Sequence, residues 1–362
     1  MRSIVVFTDP RNPNRWRWPY EKAEFENCFG PVTEYGIDDL VSTLNEHPSE
    51  TVAGVSVIYW KLHAERTNTE EFTKARALAL ELDGVAPSIN DPNGFPNVHS
   101  KDVAWKRWAD KDVPISNWRY VEEEGPTGLP LLVRFNNSVS GEHSYLCQTG
   151  DEYRDAIENL KGPDTGDIER RWGPDTGDIE RRWGPGLGRK IVVQEFIETE
   201  HLGYRQSLRI IVAGDKVVTA YARLCIAPDW VAITGKFTPD MGHSFLIFQQ
   251  HCQKWCLANE AEIVRAVHVL GLNFQGVDVI FRGNGAPVFL EVQPDFSTGN
   301  PRAGDKPPFY NPSYPALVTF LEESRPIIEA ICPMYTHWLN KETLFRECFE
   351  ALATNLEIKP NV

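Results

Sequence analysis

Apolar positions in the first hundred residues recur with two alternating periods, and each change of period marks a new element. Residues 4–8 form a short β-rich run stopped by Asp9-Pro10, which reads as a buried strand. Helical spacing over 36–46 is followed by the run VAGVSVIYW at 52–60, a second strand. Residues 69–82 again carry helical spacing and stop at Asp83-Gly84, and 86–89 is a short strand before a Pro- and Gly-rich turn. Strands alternating with helices predict a parallel α/β unit.

The pattern changes from Ser100. Residues 100–109 predict a helix with Ser100 as N-cap, and 151–160 and 252–270 predict two more. The runs 129–135, 144–148 and 190–197 read as strands. Two hairpins follow: 209–213 with 216–223 around the two-residue turn Gly214-Asp215, and 277–281 with 287–292 around the loop 283–286. Residues 311–362 read as mainly helical. The segment GPDTGDIERRW at 162–172 returns letter for letter at 173–183 and is followed by GPGLG. Two copies with little to bury predict a tandem duplication inside one surface loop. They do not make a phosphate loop of the GxxxxGK[ST] kind.

Composition narrows the function. Hydrophobic residues are 41 % and charged residues 24 % of the 362 positions, as in ordinary folded chains. The net charge of −14, with no basic stripe, disfavours nucleic acid as a partner. The Arg/Trp-rich stretch at 11–18 is the nearest thing to a basic patch, and it reads as a surface loop with its rings packed down. No apolar run reaches the length of a membrane span, and the opening apolar run is too short for a signal peptide. The seven cysteines (28, 147, 225, 252, 256, 332 and 348) lack paired or zinc-finger spacing. The expectation is a cytoplasmic protein with reduced thiols and no membrane partner.

The second hairpin carries the chemistry. A loop at 283–286 pairs Arg282 with Pro287 and, four steps out, Asp278 with Glu291. Strict alternation puts Asp278, Ile280, Phe289, Glu291 and Gln293 on one face, and Val277, Val279, Phe281, Val288, Leu290 and Val292 on an apolar one. Opposed carboxylates repel, so a cation or a shared proton is needed. Two arrangements answer that need: a hard divalent ion on Asp278, Glu291 and the Gln293 amide oxygen, or an exposed face on which the acids meet water or an arginine.

The segment Asp278…Glu291-Val-Gln293-Pro294 resembles the end of an ATP-grasp core, and earlier pieces follow in the same order. These are His99-Ser-Lys101 opening a helix, LLVRF at 131–135 with the small-residue stretch 136–141, VQEFI at 193–197, and the hairpin from Ser207 to Arg223. Over about residues 85–300 the chain resembles the ATP-grasp superfamily in its glutathione-synthetase-like, carboxylate–amine ligase branch.

The resemblance implies an α/β (α+β) fold. It has an N-terminal parallel pre-ATP-grasp domain (1–98), a central lid subdomain (99–200) carrying the duplicated loop, a C-terminal antiparallel-sheet subdomain with the metal site (201–310) and a helical tail (311–362). It implies an ATP-dependent ligase that activates a carboxylate as an acylphosphate and joins it to an amine. Mg2+, or Mn2+ in its place, would sit on Asp278, Glu291 and Gln293. ATP would be held by Lys101, Arg134, Ser138, Ser140, Gly141 and the segment Gln194, Glu195, Phe196 and Ile197. Arg209 and Arg223 would steady the transferred phosphoryl group. Substrates, small acids or peptides with their amines, would meet Lys236, Asp240, Asp295, Ser297 and Thr298, and the tail is a candidate homodimer surface.

Two positions depart from the family pattern: Arg134 stands where lysine is usual, and Gln293 where asparagine is. A strict two-residue turn at Gly214-Asp215 also pairs Arg209 with Ala220 and Arg223 with Gln206, which points the arginines to opposite faces unless the hairpin bulges. A polyol or inositol phosphate kinase, or a nucleotide-binding regulatory protein, are the rival readings of the same nucleotide site.

Overall fold

The computed structural model describes residues 2–7, 18–62, 69–98, 100–121, 126, 128–136, 144–161, 190–201, 203–226, 238–294 and 314–358. The first unit begins with β1 (Arg2–Phe7), α1 (Trp18–Phe29), β2 (Val32–Gly36) and α2 (Ile37–Glu46). It continues with α3 (Pro48–Val52), β3 (Val55–Lys61), α4 (Thr69–Glu81) and β4 (Ser88–Ile89). Its strands lie in the order β2-β1-β3-β4, and every pairing is parallel, as the alternation of periods predicts. The strand expected from 52 starts later, because Pro48 opens a short helix that runs to Val52.

Helix α5 (Lys101–Ala109) leads into a four-stranded antiparallel sheet, order β5-β8-β6-β7. Its members are β5 (Trp118–Tyr120), β6 (Leu131–Phe135), β7 (Ser144–Cys147) and β8 (Ile191–Glu195), with α6 (Gly150–Lys161) packed on one face. Leu131, Val133 and Phe135 alternate inward against Tyr153, Ala156 and Leu160 of α6, which makes a separate small core. Ser100 precedes α5 as expected, but its hydroxyl makes no cap bond.

The third sheet holds β9 (Glu200–His201), β10 (Tyr204–Ala213), β11 (Lys216–Ile226), β12 (Phe274–Phe281) and β13 (Pro287–Gln293), in the order β11-β10-β12-β13 with β9 paired to β10. Between β11 and β12 the helix expected at 252–270 is two helices, α7 (Gly242–Ala258) and α8 (Glu260–His268). The chain bends at Asn259, which leaves helical geometry and closes α7 with its N–H on Trp255 O and Cys256 O.

The C-terminal residues are helical as expected: α9 (Tyr314–Glu323), α10 (Arg325–Ile331), α11 (Pro333–Leu339) and α12 (Lys341–Asn355). Asn340 caps α12 by accepting from the N–H groups of Glu342 and Thr343. From α12, Phe349 meets Phe25, Phe29, Tyr59 and Phe274 at ring-centroid distances of 5.1, 6.2, 6.4 and 5.9 Å. The first and third sheets therefore share one core with the tail.

A polar seam locks the first unit to the third sheet. Asn90, at φ 55°, donates its amide to Phe274 O at 2.7 Å and accepts the Phe274 N–H at 2.9 Å, extending the strand ladder with a side chain. Beside it, a Cβ on Gly94 would lie 2.2 Å from Gly271 O. Gly94→Ala is therefore expected to force the seam apart and cost about 1–3 kcal/mol, read as a lower midpoint in thermal unfolding. An unchanged midpoint would show that the seam gives way without cost.

Candidate functional site

The third sheet places the chemistry through two bulges. On β11, Val218 is an extra residue between Val217, which pairs with Val212, and Thr219, which pairs with Ile211. Past this bulge Arg209 faces Tyr221 and Arg223 faces Ser207, so both arginines come to the same side. The bulge resolves the opposed orientation expected of a strict hairpin.

The second bulge lies on β13 at Leu290. Phe281, not Arg282, pairs with Pro287, and the extra Leu290 restores Asp278 opposite Glu291. The expected carboxylate pair stands because two one-residue offsets cancel. Phe289 does not share their face: it lies opposite Val279, is fully buried, and meets Trp108 at 5.7 Å.

One line of neighbours therefore runs Tyr221–Arg209–Asp278–Glu291 across four strands. Arg209 grips Asp278 with two hydrogen bonds of 2.6 Å, from Nε to Oδ1 and from Nη2 to Oδ2. Its Nη1 donates to Gln293 Oε1 at 2.8 Å, and Arg223 Nη2 also donates to Asp278 Oδ1. Gln293 Nε2 donates to Glu291 Oε1 at 3.1 Å. Burial alone would push the Asp278 carboxyl up, but the two guanidinium charges outweigh it and hold the group well below the usual carboxylate range. Asp278 is thus paired with arginine as in the second of the two arrangements, but in a buried position and not on the exposed face that arrangement expects.

Helix α5 brings in the next cation. Lys101, Trp105 and Trp108 recur at helical spacing, and all three reach the third sheet or its helices. Lys101 Nζ lies 2.9 Å from Glu291 Oε2, Trp105 Nε1 donates to Leu290 O at 2.8 Å, and Trp108 Nε1 donates to Ala266 O at 2.7 Å. Trp105 thus satisfies the bulge carbonyl next to Glu291.

Arg134 comes from β6, one position out of phase with the inward-facing Val133 and Phe135. Its guanidinium lies 5.6 Å from the Trp105 ring and donates to Gln194 Oε1, while Gln194 Nε2 donates to Ser116 Oγ. Burial pulls the Arg134 pKa down to about 10, against the opposing charge of Glu291. The Nε atoms of Arg134 and Arg223 are buried and have no acceptor among the described residues.

The remaining expected contacts divide. The N–H groups of Glu195 and Phe196 donate to Asn117 O at 2.8 Å and Pro130 O at 3.3 Å, so an adenine edge would need other backbone groups near Ile197. The Glu195 carboxylate is tied at 2.6 and 2.9 Å to Arg282 on the tip of the β12–β13 hairpin, which tethers the second sheet to the third. Ser138, Ser140, Gly141, Lys236, Asp295, Ser297, Thr298, His99 and the duplicated segment lie outside the described residues, while Asp240 opens a short turn before α7. The sequence reading missed Trp105, Ser116 and Arg282; the helical spacing of Lys101, Trp105 and Trp108 was the signal available for the first.

Lys101, Arg134, Arg209 and Arg223 set four positive charges against the two of Asp278 and Glu291. That surplus, with the two orphaned N–H donors, fits a polyphosphate. Among the described residues no three of His, Cys, Asp or Glu gather around a metal position. A cation would rest on two carboxylates and an amide oxygen, a hard donor set suited to Mg2+.

Over 224 residues the chain is 25 % identical to a probable alpha-L-glutamate ligase of Stutzerimonas stutzeri (strain A1501), covering 59 % of this chain and 60 % of the relative. It is 27 % identical over 168 residues to a protein of the same description from Syntrophotalea carbinolica, covering 46 % of this chain and 42 % of the relative. Both curated relatives are described as ligases. This agrees with the resemblance to carboxylate–amine ligases carried by the motifs. The match spans about 60 % of the first relative's length and less of the second. No family model matches the chain. A solved structure of the ATP-grasp ligase PsnB with a minimal precursor superposes at a TM-score of 0.49 with 14 % identity, over 92 % of this chain and all of that one, a likeness that carries no weight by itself. No helix among the described residues is long and apolar enough to cross a membrane.

Proposed function

We propose that the chain is an ATP-grasp enzyme, an ATP- and Mg2+-dependent carboxylate–amine ligase. The observation that carries this reading is the convergence of Lys101, Arg209 and Arg223 on the Asp278–Glu291 pair, with Arg134 over Trp105 within reach of the Glu291 charge.

In this reading Lys101 and Arg134 hold the nucleotide phosphates, and their charge favours a polyanion over a neutral ligand. Arg209 and Arg223 orient the phosphoryl group and the carboxylate that accepts it; fixed guanidinium forks stabilise charge that spreads over oxygen during transfer. Asp278, Glu291 and Gln293 would hold Mg2+, which supplies charge neutralisation at the phosphates when bound. The cations that now neutralise the two carboxylates are those assigned to phosphate, so anion binding would release oxygen donors as it recruits the arginines. Arg134 in place of lysine stays charged near neutral pH and can bind two oxygens at once. The acid and the amine would be peptides or small molecules, with cytoplasm as the expected compartment and a homodimer as the candidate assembly.

The test incubates the chain with Mg-ATP and pools of amino acids, peptides and polyols, and follows ADP and free phosphate. Release of both only when a carboxylate and an amine are present together is the expected result. A phosphorylated polyol would overturn the ligase in favour of a kinase, and nucleotide binding without turnover would overturn it in favour of a regulatory protein.

A further inference from the structure

Asn136 lies where three elements meet. Its carbonyl accepts the N–H of Lys101 at 2.9 Å, and its own N–H donates to Lys190 O at 2.9 Å. Its side chain uses both ends: Oδ1 accepts the Lys190 N–H at 3.1 Å, and Nδ2 donates to Asp102 Oδ1 at 3.0 Å. The other Asp102 oxygen accepts the Tyr120 hydroxyl at 2.7 Å, and Lys106 Nζ donates to that hydroxyl oxygen at 3.0 Å. Asn136 and Asp102 are 2 % and 3 % exposed. Burial would raise the Asp102 carboxyl, yet the bonds from Tyr120 and Asn136 and the nearby Lys190 charge hold it below the usual range. A buried carboxylate so fully satisfied is a rigid joint rather than a source of strain.

The placement has a consequence for the cations. Asp102 follows Lys101 in the chain, and Asn136 stands two residues after Arg134. One hydrogen-bonded pair therefore couples the start of α5 to the end of β6, and both to the entry of β8. We propose that Asp102 and Asn136 are positioning residues that hold Lys101 and Arg134 in mutual register, so that both meet one polyphosphate. The inference rests on the reading of these two cations as phosphate-holding groups.

The geometry offers an exchange that separates register from charge. Asp102→Asn alone sets an amide against the Asn136 amide, and Asn136→Asp alone sets two buried carboxylates together. In the double exchange Asp102→Asn/Asn136→Asp, the amide at 102 donates to the carboxylate at 136 and accepts from Tyr120. The carboxylate at 136 still accepts the Lys190 N–H, so every bond survives and only the one between 102 and 136 reverses its direction.

The experiment measures the affinity for AMPPNP with Mg2+ by titration calorimetry, well below every variant's unfolding midpoint, together with nucleotide KM and kcat. Each single variant is expected to bind about ten-fold more weakly, with nucleotide KM raised more than kcat is lowered. The exchange is expected to restore most of that loss. Lower midpoints with unchanged affinity would overturn the proposal by making the joint structural only, as would an exchange that stays folded without recovering binding. Failure of the unsubstituted chain to bind would overturn the phosphate reading and this inference with it. Loss of binding in Lys101→Met, with Asp102→Asn unaffected, would overturn this inference alone.

Discussion

Asp278→Asn is expected to lower stability by about 3–5 kcal/mol and to abolish Mg-ATP-dependent turnover. Asp278 is buried, and both of its oxygens are engaged by two guanidinium groups. An asparagine retains one acceptor and presents a donor to the other side, so Arg209 and Arg223 keep their burial and lose their counter-charge. The penalty is that of uncompensated charge, which exceeds the net worth of the original pair. Glu291 offers the comparison: its side chain is 24 % exposed and pairs with Lys101, so Glu291→Gln should cost less stability while removing turnover equally. Urea denaturation followed by tryptophan fluorescence gives the first quantity and phosphate release the second. A stable, active Asp278→Asn protein would sink the site assignment.

Trp105→Ala is expected to cost about 3–5 kcal/mol, the range for emptying a large aromatic site in a core. The ring is fully buried, packs on Trp118 at 5.4 Å and lies under Arg134, so the cavity would open between the two sheets that share the site. Trp105→Phe keeps most of the volume but removes the donor to Leu290 O, and should cost about 1–3 kcal/mol. Because that carbonyl belongs to the bulge beside Glu291, the Phe variant should also weaken nucleotide binding beyond its effect on stability. Denaturant midpoints at constant slope test the first two figures, and calorimetric titration of both variants tests the third. Affinity unchanged in Trp105→Phe would mean that the bulge holds its register without the indole.

Much of this site is legible along the chain because its parts are local patterns. A Gly-Asn-Gly turn between two apolar strands brings Asp278 and Glu291 close, although their direct pairing needs the bulge at Leu290, and the family resemblance marks Lys101 at a helix start. The faces were harder to read. Val218 and Leu290 are ordinary strand residues, and nothing beside them marks the extra position. Contacts distant in sequence attend both: Trp105 Nε1 donates to Leu290 O, and His337 Nδ1 lies 3.2 Å from Val218 O. Alternation therefore placed Phe289 with the carboxylates and left Arg209 conditional on a bulge. An Asn before Glu260 is, by contrast, a local sign of a helix start, although the Asn259 side chain makes no cap bond and donates to Trp255 O at 2.8 Å.

The sequence by itself determined most of the longer strands and helices, though not α1, β2, α3 or β5, that the first unit is parallel, and that two carboxylates come close on a hairpin with a core behind them. Those properties depend on hydrophobic period and turn chemistry, which act over a few residues. Only the tertiary structure decided that Asp278 is gripped by Arg209 and Arg223, that Lys101 closes on Glu291, and that Arg134 stacks on Trp105. Each of those contacts joins residues some thirty to nearly two hundred positions apart, brought together by sheet register and helix packing. Charge pairing has no period to read, so it becomes visible only when the elements are assembled.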